Sequence, residues 1–401
     1  MSNTDDSAAV LRGRAVKFIV LLGIVSLFAD VTYEGARSIT GPFLLSLGAS
    51  ATVVGITAGL GELIGYGLRL VSGYISDRTG KYWTITIIGY FVNLMAVPAL
   101  ALAGRWEIAA ALIIAERFGK AVRNPPRDAM LSHATSEVGR GWGFGLHEAL
   151  DQIGAVMGPL VVSAVLFMKG SYKNGFIILL IPAAIAISIL ITARILYPTP
   201  RDMERESEKQ LLNQGFPRVF WVYLLAVSFV AAGYADYPLI AYHFDKASTV
   251  SKDWIPVLYA IAMGVDALAA LVFGRLYDRA GLSVLAVAIV LSALFAPFVF
   301  FGGFGLAILG VALWGIGMGA QESIMRAAVA NMVPTDKRGT AYGIFNTGYG
   351  LFWFVGSALM GYLYDISIAN LVAFSIATQI ISIPILVTIK KAVPAKRMPP
   401  N

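Results

Sequence analysis

Apolar runs of about 20 residues recur along this chain, each closed by a short stretch of charged residues, glycine or proline. Runs of that length match the hydrocarbon thickness of a bilayer when wound as helix. Helices are predicted over 16–40, 51–72, 83–104, 107–125, 141–168 and 175–196, then over 217–244, 254–273, 283–301, 304–332, 339–364 and 367–390. The reading is an all-α membrane protein of about twelve spans, in two halves of six. The halves are 1–196 and 217–401, joined by a linker over 197–216 that is charged and lacks an apolar period.

Composition agrees. Of 401 residues, 57% are hydrophobic and 14% charged, too little polar surface for a soluble protein of this length. The net charge of +7 does not form one basic face, which argues against a nucleic-acid partner. Instead the cations alternate by loop. Arg12, Arg14, Lys17, Arg78, Lys81, Arg127, Arg140, the linker's Arg201, Arg205 and Lys209, Arg279, Lys337, Arg338 and the Lys390–Arg397 cluster fall on one side. Arg105, Lys169, Lys173, Lys246 and Lys252 fall on the other. The bias predicts a multi-pass cell-membrane (inner-membrane) protein with both termini and the linker in the cytoplasm. The first apolar run follows three cations, as in a signal peptide, but continues past Asp30, so it is expected to stay as a signal anchor. There is no cysteine, hence no disulfide framework or thiolate metal site.

Two segments repeat across the halves. Gly73-Tyr-Ile-Ser-Asp77-Arg78-Thr-Gly80 follows the second span, and Gly274-Arg-Leu-Tyr-Asp278-Arg279-Ala-Gly281 follows the eighth. Arg140-Gly141-x-x-x-Gly145 opens the fifth span and Arg338-Gly339-x-x-x-Gly343 the eleventh, with Gly158 and Gly356 at matching offsets. Small residues at this spacing let helix backbones approach closely. The pattern Gly-x-x-x-Asp-Arg-x-Gly resembles the loop signature of the major facilitator superfamily, between its second and third membrane helices. The resemblance covers the whole chain. It implies two six-helix bundles related by a pseudo-two-fold axis, with a substrate site between them at mid-membrane. Asp77 is placed to cap the eleventh span near Gly339 and Thr340, and Asp278 the fifth near Gly141. Such bridges would form a cytoplasmic gate of Gly73, Asp77, Arg78, Gly80, Gly274, Asp278, Arg279 and Gly281; the alternative is a solvated turn.

Charges within apolar spans are costly and should face a protein interior or an aqueous cavity. Asp30, Glu34 and Arg37 share a face of the first span, with Tyr33 beside them. Glu34 and Arg37 could make a structural ion pair; otherwise Asp30 and Glu34 are protonatable groups in a central cavity, where low dielectric favours proton binding. Glu62 and Arg69 lie two turns apart on the second span, and Glu116, Lys120, Arg123 and Arg127 form a stripe on the fourth. Its cations either snorkel towards the cytoplasm or touch substrate. The block Glu116–Ala129 and the run Asp30-Val-Thr-Tyr-Glu34 resemble a bacterial and archaeal branch of the superfamily, similar in layout to small-molecule efflux proteins.

His147, Glu148 and Asp151 open the fifth span, with His147 and Asp151 on one face. The following Gly154-Ala-Val-Met-Gly158-Pro159 resembles the Gly-x-x-x-Gly-Pro-x-x-Gly-Gly signature of drug–proton antiporters, with Val162-Ser163 in place of the final glycines. A Pro bend in a close-packed helix is the alternative. In the second half Tyr234, Asp236, Tyr237, Gln321, Glu322, Asn346, Tyr349 and Trp353 form a more aromatic set. With Tyr33, Arg37, Glu62, Arg69, Lys120, Arg123 and His147 they are the expected substrate pocket, suited to an amphipathic solute. The proton-coupling candidates are Asp30, Glu34, Glu116, Glu148 and Asp151.

No phosphate-binding Gly-x-x-x-x-Gly-Lys-Ser/Thr loop occurs, His133, His147 and His243 lack metal-ligand spacing, and no nucleophile motif stands out. No cofactor, metal or enzymatic activity is therefore expected. The expected partners are a small-molecule substrate, protons and lipid, with the chain acting as a monomer. The function expected is secondary active transport of a small organic solute by alternating access, as proton-coupled efflux. Proton-coupled uptake of an organic anion and inorganic-ion export are the alternatives within transport. A non-transporting membrane sensor is the alternative from another class, and would call for a soluble signalling domain.

Overall fold

The protein was analysed as a computed structural model, which describes residues 2–199, 216–333 and 338–389. Among the described residues the structure is helical, without strands. The expected linker therefore lies mainly outside the described residues, as do its cations, Lys337 and the Lys390–Arg397 cluster.

The first five spans are single helices: α1 Ser2–Ser46, α2 Ala51–Thr79, α3 Tyr82–Ala99, α4 Trp106–Val138 and α5 Arg140–Phe167. The sixth is two pieces, α6 Tyr172–Ile178 and α7 Leu180–Leu196. The seventh breaks between α8 Arg218–Gly233 and α9 Tyr237–Lys246. The eighth is α10 Ile255–Ala280, and the ninth α11 Ser283–Ala293 with α12 Phe295–Phe301. The tenth runs through α13 Phe304–Ala320, a π-helical turn Gln321–Met325 and α14 Arg326–Met332. The last two are α15 Arg338–Ile366 and α16 Ile368–Ile389. Among the described residues, ten helical stretches are long and apolar enough to cross a membrane. The two further expected spans are α4 and α15, whose apolar character is diluted by the charged stripe of α4 and by the glycines, Asn346 and tyrosines of α15.

Three predicted ends are corrected. Helix α1 extends well beyond 16–40 in both directions. Helix α2 runs on to Thr79, so Asp77 and Arg78 belong to its last turn, not to a loop. Helix α4 does not stop at Pro125-Pro126 but continues to Val138. Proline 126 removes the N–H that would bond the carbonyl of Val122. Ser72 Oγ donates to that carbonyl instead, at 2.6 Å, so the helix passes the prolines with this acceptor satisfied.

The chain gathers into two compact units. One comprises Met1–Ala36, Leu68–Ala103 and Ala111–Glu208; the other Arg37–Gly67, Gly104–Ala110 and Lys209–Asn401. In the first, Phe18, Leu22, Trp83, Tyr90, Leu131, Leu190 and Tyr197 belong to one buried apolar cluster. Trp83 Nε1 donates to the Tyr197 carbonyl at 2.9 Å within it. Helices α1 and α5 meet backbone to backbone: a Cβ on Gly154 would strike the Leu27 carbonyl, and one on Gly158 that of Val31. The Gly-x-x-x-Gly-Pro stretch is thus a packing stripe, the physical use of small residues noted for such spacing.

In the second unit the break in the seventh span is held by side chains. Tyr234–Asp236 is extended or irregular, and Pro238 has no N–H to continue the ladder of α8. The Gly233 carbonyl accepts from Ser375 Oγ at 2.6 Å and Gln379 Nε2 at 3.2 Å. The Ala235 carbonyl accepts from Trp314 Nε1 at 2.9 Å. Irregular backbone at membrane depth survives where protein groups satisfy it, and here it places Asp236 at the head of α9.

Candidate functional site

In the first unit α1, α3, α4 and α5 bring together most of the charges expected from the sequence. Lys120 Nζ stands 3.9 Å from Glu34 Oε1 and 3.8 Å from the Tyr33 ring centroid. One turn on, the Arg123 guanidinium lies 4.2 Å from the Tyr90 ring centroid and 5.6 Å from that of Tyr33. Asp30 is buried against Gly154 of α5, within electrostatic reach of Asp151, Lys120, Arg123 and Glu34.

A chain of hydrogen bonds leads from α4 to α5. Arg127 Nη1 donates to Ser26 Oγ at 3.0 Å, and Ser26 Oγ is 3.0 Å from His147 Nε2. With Arg127 donating to it, the hydroxyl can give its own hydrogen to Nε2, leaving Nδ1–H to face Asp151 Oδ2 at 3.6 Å. Asp151 Oδ1 is buried with no hydrogen-bond partner. Glu148 is exposed at the start of the same helix.

Glu116 is occupied otherwise. Asn93 Nδ2 donates to its Oε1 at 2.7 Å and to its backbone carbonyl at 3.0 Å, and Arg117 Nε is 3.3 Å from Oε2. It ties α4 to α3. Arg69, half-buried on α2, belongs to the same unit.

The second unit holds a separate charged group. Arg37 Nη2 donates to Glu62 Oε1 and to Asp236 Oδ1, both at 3.0 Å. The other oxygen of Asp236 accepts from Trp353 Nε1 at 2.8 Å and Ser357 Oγ at 3.0 Å. Arg37 therefore joins α1 to α2 and to the broken seventh span. Tyr349 OH donates to Gln321 Oε1 at 2.7 Å, and its ring meets Tyr66 and Trp353, each at 5.5 Å. Tyr234 and Tyr237 are fully buried, their hydroxyls bonded to the carbonyls of Trp314 and Ile255. They pack with Trp314 and Tyr259 as an aromatic wall. Glu322, in the π-helical turn, and Asn346 on α15 are half-buried in this unit.

Both copies of the loop signature end alike. Gly80 and Gly281 have φ of +67° and +62°, and their N–H groups close the last helical turn onto Ser76 and Tyr277 at 2.9 and 2.8 Å. The repeated spacing supplies a glycine free to take positive φ at each helix end, with Arg78 or Arg279 in the final turn complementing the helix dipole. Gly73 and Gly274 are half-buried; Asp77, Arg78, Asp278 and Arg279 are exposed. Asp77 Oδ1 accepts from Tyr82 OH at 2.9 Å.

Ser26, Tyr90, Asn93 and Ser357 are site members that the sequence reading missed. Uncharged residues in apolar runs carry little signal, although Asn93 mid-span was the most conspicuous of them.

Long apolar helices carrying buried charges define a polytopic membrane protein. The profile of the Major Facilitator Superfamily matches residues 22–357 and 219–399. The chain belongs to that superfamily and is a secondary transporter with a small-molecule substrate, embedded in lipid. It has the all-α major facilitator fold. An uncharacterised protein of Mycobacterium bovis is 42% identical over 383 residues, covering 94% of this chain and 93% of the relative. The multidrug resistance protein MdtH of Proteus mirabilis is 30% identical over 145 residues, covering 36% of this chain and 34% of the relative. A crystal structure of a mutant of the nucleoside transporter NupG superposes with a TM-score of 0.76 at 14% identity, covering 92% of this chain and 98% of that one.

Proposed function

We propose that this chain exports a small organic solute across the cell membrane by alternating access, in exchange for protons. The observation that carries the coupling is the buried carboxylate group on α1 and α5. Asp30 and Asp151 act on one another inside the membrane, and Asp151 Oδ1 has no hydrogen-bond partner. Asp30 packs against Gly154, one turn from Asp151 on α5, and two carboxylates on facing turns in low dielectric do not both hold charge comfortably, so proton occupancy there responds to any charged neighbour. Lys120 and Arg123 on α4 are those neighbours. A solute that binds beside these cations changes the field at Asp30 and Asp151, which is how solute binding and proton occupancy become linked. Glu34, held near Lys120, is the second candidate on α1.

Export is favoured by the glycine–proline stretch of α5, similar to antiporters, and by the partial likeness to MdtH, named a multidrug resistance protein. The two halves, 1–196 and 217–401, act as the moving bodies, with the linker and both termini in the cytoplasm. The chain works as a monomer. Asp77 and Asp278, at the ends of α2 and α10, serve the cytoplasmic gate, and the aromatic set around Tyr349 and Trp353 forms an apolar wall for the solute. A thermal-shift screen of the purified protein against metabolites and drugs, followed by counterflow in proteoliposomes, tests the assignment. Stabilising ligands that undergo counterflow support it; ligands that bind without counterflow point to a sensor.

A further inference from the structure

Among the charges of the first unit, Arg123 stands apart. Its side chain is 1% exposed, and among the described residues it makes no ion pair and no hydrogen bond, with Nε and Nη1 buried and unpartnered. Neighbouring charges on α4 are engaged: Glu116 by Asn93 and Arg117, Lys120 beside Glu34, Arg127 by Ser26 and Asp128. Asp30 and Asp151 act on Arg123 only over a distance. Its setting is nevertheless built. A Cβ on Gly89 would strike the Arg123 backbone, so α3 presses directly on this turn of α4. The guanidinium is held between the rings of Tyr90 and Tyr33. Ring faces attract a cation, yet they leave its N–H donors unused. A buried guanidinium without a counter-ion is expensive, and its planar fork is shaped to receive two oxygens of a carboxylate or phosphate.

We propose that Arg123 is the anion-recognition residue of the transported solute, which carries a carboxylate or phosphate oxyanion. The oxyanion takes the unused donors of Arg123, and Lys120, one turn away, supplies the second positive charge. Tyr33 and Tyr90 hold the guanidinium in register and exclude water from it. This rests on the transport reading above and narrows it to organic oxyanions, in either direction of movement.

The same chemistry could come from an anionic lipid headgroup, so the test separates the two sources. The full chain is placed in phosphatidylcholine nanodiscs at constant ionic strength. Its unfolding temperature is followed against benzoate, phenyl phosphate and inorganic phosphate, with benzamide as the neutral match of benzoate. The expected result is a saturable rise with at least one oxyanion and none with benzamide. Arg123→Gln should weaken that response at least tenfold without lowering the ligand-free unfolding temperature. Arg123→Lys, which keeps the charge and loses the fork, should be intermediate. The proposal is overturned if no oxyanion gives a saturable rise in the unmodified protein, or if Arg123→Gln responds as the unmodified protein does. It is also overturned if only phosphatidylglycerol in the nanodisc stabilises. Binding is read here without transport, so a failed oxyanion response leaves the transport reading to counterflow, and failed counterflow leaves the binding result standing.

Discussion

The carboxylate of Asp365, in the last turn of α15, accepts from the backbone N–H of Thr52 at 2.8 Å and from its hydroxyl at 2.7 Å. It also accepts from the N–H of Ala51 at 3.2 Å, while Ser50 Oγ takes the N–H of Val53 at 3.3 Å. The free donors at the start of α2 are thus met by its own N-cap serine and by a carboxylate from a distant helix. This is the opposite end of α2 from the signature that ends at Gly80. Asp365→Ala should cost about 0.5–2 kcal/mol of stability, as loss of an N-cap does. Spin labels at the exposed positions Ile56 and Tyr362 should report a broadened, longer distance in the variant. An unaltered distribution would show that the cap does not hold the ends of α2 and α15 together.

Asp236 is 1% exposed and bonds Arg37, Trp353 and Ser357 together. Asp236→Ala leaves Trp353 Nε1 and Ser357 Oγ without their acceptor, while Arg37 keeps Glu62, and should destabilise by about 2–5 kcal/mol. Asp236→Asn keeps an acceptor and should cost much less. Chemical unfolding followed by tryptophan fluorescence distinguishes the two variants, and equal losses would show that the carboxylate's charge, not its bonding, is what matters.

Gly158→Ala should destabilise by about 1–3 kcal/mol, because its Cβ enters the Val31 backbone of α1. Gly145→Ala should be neutral or stabilising by up to about 1 kcal/mol, since nothing lies within 4 Å of a Cβ there. Thermal unfolding of both variants checks the contrast.

What was legible in the sequence was local. Apolar runs located the spans, and the twice-repeated Gly-x-x-x-Asp-Arg-x-Gly pointed to paired halves. Partner choice was not legible, because it depends on which helices meet. Glu34, three residues away, was one partner open to Arg37; its bonds to Glu62 and Asp236, on other spans, had no sequence signal. A carboxylate capping a distant helix was foreseen at Asp77, yet the cap seen at α2 comes from Asp365, which carries no motif. The continuation of α4 through Pro125-Pro126 depends on Ser72, fifty residues earlier and invisible to any local rule.

The chain contains no cysteine, so introduced ones report cleanly. Glu148→Cys should react readily with small aqueous thiol reagents and Asp151→Cys more slowly, following their exposed and half-buried positions. His147→Cys, at a buried position, should react least. Protection of positions 148 and 151 in the presence and absence of ligand would place them outside the solute pathway.

The central claim is that solute movement is driven by protons through the carboxylates of α1 and α5. The direct measurement compares uphill transport under an imposed pH gradient with counterflow at equal pH, in proteoliposomes, for a solute found by the thermal-shift screen. The unmodified protein should do both. Asp30→Asn, Glu34→Gln or Asp151→Asn, at least one of them, should keep counterflow and lose uphill movement, because exchange at equilibrium needs no net proton transfer. If all three variants still concentrate the solute with the unmodified protein's pH dependence, the claim is contradicted.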